Sequence, residues 1–197
     1  MTCLRPAALL LCLAALVSTG CGGTRYMEPG ARIDTPPEGK ALVNVHRPST
    51  AYGSGADLIV WDGDTVIGNT HGKDMFQYVC EPGAHVFHAR QANVSVLRAD
   101  LAAGKTYDIV TDCGPNLVPF QANHRLWLNA IAANDERRGL VDGWLAKEKT
   151  LVLSTKSEGD RLAYQKKALP DVRKYLHDFT DGDKKDKAGS LAAGDGR

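Results

Sequence analysis

From residue 41 to residue 130 the apolar positions come in short bursts separated by turn residues, which is the rhythm of strands rather than helices. Residues 41–46, Ala-Leu-Val-Asn-Val-His, are rich in branched side chains and are stopped by Pro48. Residues 57–61 form a second apolar run. Asp62-Gly63-Asp64 then predicts a tight hairpin into 65–67, because Asp-Gly between apolar runs is a strong turn signal. Residues 75–80 are the next strand. Glu81-Pro82-Gly83 has turn chemistry, with Pro presetting φ and Gly taking positive φ, and it predicts that 85–89 pairs back on 75–80. Residues 94–101, 106–111 and 124–130 complete the set. Short strands without intervening helices predict a mainly β fold, an antiparallel β-sandwich over 40–132.

After residue 132 the period changes. Leu140, Val141, Trp144 and Leu145 share one helical face in 134–149, with Asn134 or Asp135 as cap. Residues 150–154 form a short strand. Thr155 and Glu158 have capping-box spacing before a helix to about residue 168. Pro170 suits the first turn of a separate last helix carrying Val172, Tyr175, Leu176 and Phe179 on one side. Thus 133–180 reads as a helical C-terminal extension. Residues 181–197, mostly Gly, Ala, Lys and Asp, have little to bury and read as disordered.

The order of the β signals carries a resemblance. Residues 37–48 end in His46-Arg47-Pro48. The Trp61-Asp62-Gly63 hairpin, Cys80-Glu81-Pro82-Gly83-Ala84-His85 and the Leu101 to Tyr107 strand follow. Together they resemble a bacterial lipoprotein domain family of unknown function with a small PEGA-like β-sandwich. The resemblance implies a fold and an address, and it carries no catalytic residues.

The N-terminus agrees. Arg5 precedes an unbroken apolar run over 7–17, about half the roughly 20 residues a membrane-spanning helix requires. Ser18-Thr19-Gly20-Cys21 resembles a lipoprotein processing site. The resemblance implies a signal peptide over 1–20 and acylation of Cys21. Acyl chains there would anchor the protein to a membrane, at about 0.8 kcal/mol per buried CH₂. Gly22 follows, and no acidic retention residue is present, which points to the outer membrane facing the periplasm. Residues 21–39, with Gly22-Gly23, Pro29-Gly30 and Pro36-Pro37, read as anchor and flexible tether.

Composition narrows the partners. Arg5 is the only charge before Cys21, so 24 basic residues become 23, against 23 acidic ones. That balance argues against nucleic acid and leaves an envelope protein or peptidoglycan as partner. Of five cysteines, Cys3 and Cys12 leave with the signal and Cys21 is lipidated. Cys80 and Cys113 remain as an even pair in an oxidising compartment, which predicts a disulfide.

One motif suggests catalysis. The apolar strand followed by Asp62-Gly63-Asp64-Thr65-Val66 matches the first motif of haloacid-dehalogenase-like phosphatases. In them the residue matching Asp62 attacks phosphorus, the residue matching Asp64 is general acid/base, and Mg²⁺ bridges carboxylate and phosphate. That chemistry requires a parallel strand followed by a helix, whereas the apolar pattern here continues into another strand. His85 and His88, the one close histidine pair, point to opposite faces of a strand and read as surface residues. The expectation is a non-catalytic binding or scaffolding protein with no cofactor and no metal. The alternative is a Mg-dependent phosphohydrolase using Asp62 and Asp64.

Overall fold

A computed structural model describes residues 25–48, 55–115 and 124–197. The strands are β1 (Met27–Pro29), β2 (Ala41–His46), β3 (Leu58–Asp62), β4 (Thr65–Thr70), β5 (Asp74–Cys80), β6 (Gly83–Arg90), β7 (Val94–Leu101), β8 (Thr106–Pro115), β9 (His124–Ala130), β10 (Lys149–Leu153) and β11 (Gly189–Leu191). Between β9 and β10 a 3₁₀ turn, Glu136–Leu140, leads into a short helix α1 (Val141–Leu145). A long helix α2 (Glu158–Thr180) follows β10.

The protein is mainly β, with 43% of residues in strands. They form two sheets, one ordered β1-β10-β5-β2-β8-β9 and the other β11-β7-β6-β3-β4. The apolar core lies between them. Val43, Val45, Phe76, Tyr107 and Ile109 from the first sheet meet Val60, Phe87 and Leu97 from the second, all at most 1% exposed. Period-2 alternation supplies these residues, so the strand positions agree closely with the sequence pattern.

The pairing differs from an all-antiparallel sandwich. β2–β8, β10–β5 and β11–β7 are parallel. Each parallel pair joins segments far apart in sequence, which local turn signals do not reveal. β5 and β6 do not form a hairpin either. Glu81-Pro82-Gly83 carries the chain from the first sheet to the second, with Gly83 at φ 121°. By contrast Asp62-Gly63-Asp64 does close the β3–β4 hairpin.

The ends of the chain are more ordered than their composition suggests. Tyr26 is 1% exposed, β1 pairs with β10, and Ile33 exchanges backbone hydrogen bonds with the Gln77 amide. From Arg25 onward the expected tether is therefore part of the fold. At the other end β11 adds an edge strand to β7, and Leu191 joins the core at 2% exposed. An apolar residue, a free sheet edge and the reciprocal backbone hydrogen bonds between Arg197 and Thr106 order a segment that has no periodicity of its own.

Helix α2 is one element, not two. Pro170 lies inside it, and both Pro170 and Lys166, whose carbonyl loses its partner, are exposed to water. Tyr164, Ala168, Val172, Tyr175 and Leu176 recur at helical spacing and pack on Trp61 and Val66, covering the outer face of the second sheet. The segment from Ile131 to Glu148 covers the outer face of the first, where Ile131, Val141 and Val110 pack together.

Candidate functional site

The covered outer face of the first sheet is polar. Side chains on β2 alternate, so Val43 and Val45 face the core while Asn44 and His46 face outward. The register sets Asn44 beside Gln77 of β5 and Asp108 of β8. Asn44, His46 and Asp108 are nevertheless at most 2% exposed. Buried charges must be paired, and these are.

His46 is held between two carboxylates. Its Nδ1–H donates to Glu148 Oε2 at 2.6 Å and its Nε2–H to Asp108 Oδ1 at 3.1 Å. Asn44 Nδ2 donates to the same Asp108 oxygen at 2.9 Å, and Arg197 Nε donates to Oδ2 at 3.1 Å. Arg138 stands 3.9 Å from that oxygen. Burial opposes charge on His46, but the hydrogen bonds it donates to both carboxylates outweigh it and hold its pKa above the ordinary value. Burial likewise opposes ionisation of Asp108, yet the bonds from His46 and Asn44 and the Arg197 charge keep it below the ordinary carboxylate range. With a carboxylate at each ring nitrogen, the arrangement favours the imidazolium form of His46.

Local structure explains how Glu148 gets there. Asp135 caps the 3₁₀ turn by accepting from Arg137 N at 2.8 Å. After α1 the Trp144 carbonyl accepts from both Lys147 N and Glu148 N, at 2.9 and 2.8 Å. This tight reversal points Glu148 back over the end of β2. Trp144 lies 5.6 Å from the His46 ring, centroid to centroid.

Two cavities flank this hydrogen-bonded network. One, of about 360 Å³, is lined by Asn44, Gln77, Arg197 and Arg32 among others. The other, of about 430 Å³, is lined by Pro48, Lys73, Trp144, Lys147 and Glu148. The Glu148 side chain is only 4% exposed, and its Oε1 has no hydrogen-bond partner among the described residues. Lys73 is held at φ 68°, a left-handed conformation that costs a residue with a Cβ about 1–2 kcal/mol. Its backbone bridges β2 and β10, donating to the Arg47 carbonyl and accepting from Lys149 N, both at 3.1 Å.

A second buried histidine lies under α2. His88 Nε2–H donates to the Gly63 carbonyl at 2.7 Å, and the Tyr175 hydroxyl donates to its Nδ1 at 2.7 Å. Trp61 stacks on it at 5.8 Å. Burial is the main cause that drives its pKa down to about 4. His88 is thus a core residue rather than a surface one. His85 is 13% exposed and bonds Asp62 at 2.7 Å, so it too is largely covered.

The residues singled out in the sequence are placed as follows. Cys21 lies outside the described residues. Cys80 and Cys113 are both free. Cys80 pairs with Ala41 at one end of the first sheet, whereas Cys113 lies beyond Val110, which is level with His46 at the other end. That separates them by roughly 25 Å along the strands, far beyond the ~7 Å limit for a disulfide. Burial pushes the Cys80 thiol up to about 12. The expected bridge is therefore replaced by two separate thiols.

Asp62 and Asp64 flank an antiparallel turn, and β3 is antiparallel to both neighbours. Their carboxylates serve different partners. Asp62 accepts from Tyr78 Oη at 3.1 Å and from Val86 N at 3.3 Å, while Asp64 holds Arg173 at 2.5 Å. The frame that the phosphatase motif requires is not formed here. Among the described residues no group of three His, Cys, Asp or Glu side chains is set to hold a metal ion, and no helix is long and apolar enough to cross a membrane.

Sequence reasoning missed His46, Asp108, Glu148 and Arg197. The available signal was polar residues at alternate positions of two strands that become neighbours. Comparison of the chain with protein-family models, with curated proteins and with solved structures finds no match to any of them.

Proposed function

We propose that this chain is a non-catalytic, lipid-anchored protein of the cell envelope. Acyl chains on Cys21 hold it at the periplasmic face of a membrane, the outer membrane in a diderm bacterium, and it works there by binding or scaffolding. The observation that supports this reading most is the short distance between anchor and fold. Tyr26, buried at 1% exposed, follows Cys21 by five positions, a reach of roughly 17 Å at full extension. The sandwich would then stand on the membrane surface instead of ranging away from it, as suits a protein that holds a partner close to the bilayer. An envelope protein or peptidoglycan is the partner class.

The test is Cys21→Ala. The variant should lose fatty-acid labelling and leave the membrane fraction while keeping a folded domain. Retention in the membrane fraction after signal cleavage would sink the anchor.

A further inference from the structure

We propose that the outer face of α2 rests on the anionic phospholipid headgroups of the membrane that holds Cys21. The second sheet then faces the bilayer and the first sheet faces away from it.

Two independent observations meet at that face. The first is charge. Val172, 3% exposed, marks the buried side of α2. At about 100° per residue the opposite stripe, roughly 120° wide, carries Lys166, Lys167, Arg173 and Lys174, with the exposed Ala163 and Pro170 between them. The acids of α2 flank this stripe, and three of the four are already paired: Glu158 with Arg161 at 3.9 Å, Asp171 with Arg90 at 4.0 Å and Asp178 with Lys184 at 2.9 Å. Arg173 is taken by Asp64. Lys166, Lys167 and Lys174 are exposed and form no ion pair among the described residues. A protein whose total charge is close to balance thus turns an uncompensated positive stripe outward.

The second is where the chain enters the body. The Arg25 guanidinium lies 5.3 Å from the centre of the Tyr26 ring and 5.7 Å from that of Tyr164 on α2. The two tyrosine rings are 5.9 Å apart. Lys167 follows Tyr164 by three positions and so stands beside it, about one turn along the helix. Tyr26 is within roughly 17 Å of Cys21, and a helix with its side chains is about 10–12 Å wide. Acyl chains on Cys21 therefore enter the bilayer beside α2, and the lysine stripe is within reach of the surface they enter.

The layout suits an extended surface. The three lysines are spread along roughly 12 Å of helix axis, on a convex face that encloses no small molecule. Each lysine that reaches an anionic surface strengthens binding about fivefold, and three together about a hundredfold. Salt screens such contacts, so they orient a protein that acyl chains already hold rather than replacing the chains. In that orientation the cover of the first sheet, with His46 beneath it, is presented to the periplasm.

This inference deepens the anchored reading and rests on it, yet the two fail separately: fatty-acid labelling and fractionation report the anchor, and vesicle binding reports the stripe. The experiment is co-sedimentation of the signal-cleaved Cys21→Ala protein, which has no acyl chains, with vesicles of phosphatidylcholine alone or mixed with phosphatidylglycerol. At low salt the protein should bind the anionic vesicles roughly tenfold or more tightly than the neutral ones, and high salt should release it.

Lys166→Glu, Lys167→Glu and Lys174→Glu combined should remove that preference with the melting temperature unchanged, since all three side chains are exposed. Lys105→Glu, Lys147→Glu and Lys149→Glu combined make the same change in total charge at exposed positions away from α2, and should keep most of the preference. The inference is overturned if the two kinds of vesicle bind alike, or if the two triple variants lose binding equally. It is also overturned if polyglutamate binds as tightly as the anionic vesicles, which would assign the stripe to an acidic protein.

Discussion

Two histidines, each 0% exposed, sit under the two covers of the same sandwich, and their surroundings move their pKa values in opposite directions. His46 lies on the outer face of the first sheet between Asp108 and Glu148, and both ring nitrogens donate to carboxylates. His88 lies on the outer face of the second, where one nitrogen donates to the Gly63 carbonyl and the other accepts from Tyr175. Burial opposes charge equally in kind at both sites. Partners decide the outcome: two anionic acceptors outweigh desolvation, whereas one carbonyl and one hydroxyl do not. Depth in the fold therefore does not set protonation, and a polar face can be buried whole when its charges close on one another.

The most severe way to break the contrast is Asp108→Ala. It leaves His46, Arg197 and Arg138 without their shared anion, and the loss should be about 3–5 kcal/mol in urea unfolding. A loss near zero would mean that the network is not formed as described.

The pH dependence should separate the sites by sign. His88 has a folded pKa near 4, below its ordinary 6.5. The unfolded chain takes up a proton that the fold refuses, so stability falls as pH drops from about 6.5 toward 4, by about 3 kcal/mol in all. His88→Gln should flatten that acid limb. The neighbouring acids Asp62 and Asp64 both favour protonation of His88, so they soften the limb without reversing it.

His46 behaves oppositely. Its folded pKa is raised, so its contribution is complete below pH 6.5 and is lost as pH rises through the folded value. Unfolding midpoints across pH, for the wild type and for His46→Gln, should show the variant lacking this alkaline loss. Matching slopes for both histidines would refute the opposite protonation states.

Smaller effects sharpen the picture. Tyr175→Phe removes the donor to His88 Nδ1 and leaves a buried acceptor unsatisfied, for a cost of about 1–2 kcal/mol. Arg197→Ala should cost least, about 1 kcal/mol or below. The arginine is 39% exposed, and Asn44 and His46 still hold Asp108. A 1 kcal/mol change moves the melting temperature by roughly 2–4 °C in a domain of this size.

Much of this was legible in the sequence. The branched residues of 41–46 and the stop at Pro48 placed β2 at its observed bounds, and Asp62-Gly63 announced the β3–β4 hairpin. Turn chemistry and period-2 patterning are local, so a single chain displays them. Glu81-Pro82-Gly83 misled because a turn signal gives a change of direction and not the sheet that the next strand joins. Pro170 misled because a helix can carry a proline where the freed carbonyl meets water. Cys80 and Cys113 misled because an even count says nothing about register.

The site was the least legible part. Asn44 and His46 have the spacing of solvent-facing residues on a half-buried strand. They became buried only because Glu148 arrives from 102 positions away and Arg197 from farther still. By itself the sequence determined where the central strands lie, through short apolar runs separated by turn residues, but not the edge strands β1 and β11, which have no pattern of their own. The tertiary structure decided which strands are neighbours and which polar faces are covered. Those contacts join residues distant in the chain, and the surroundings that raise the pKa of His46 and lower that of His88 exist only once they have formed.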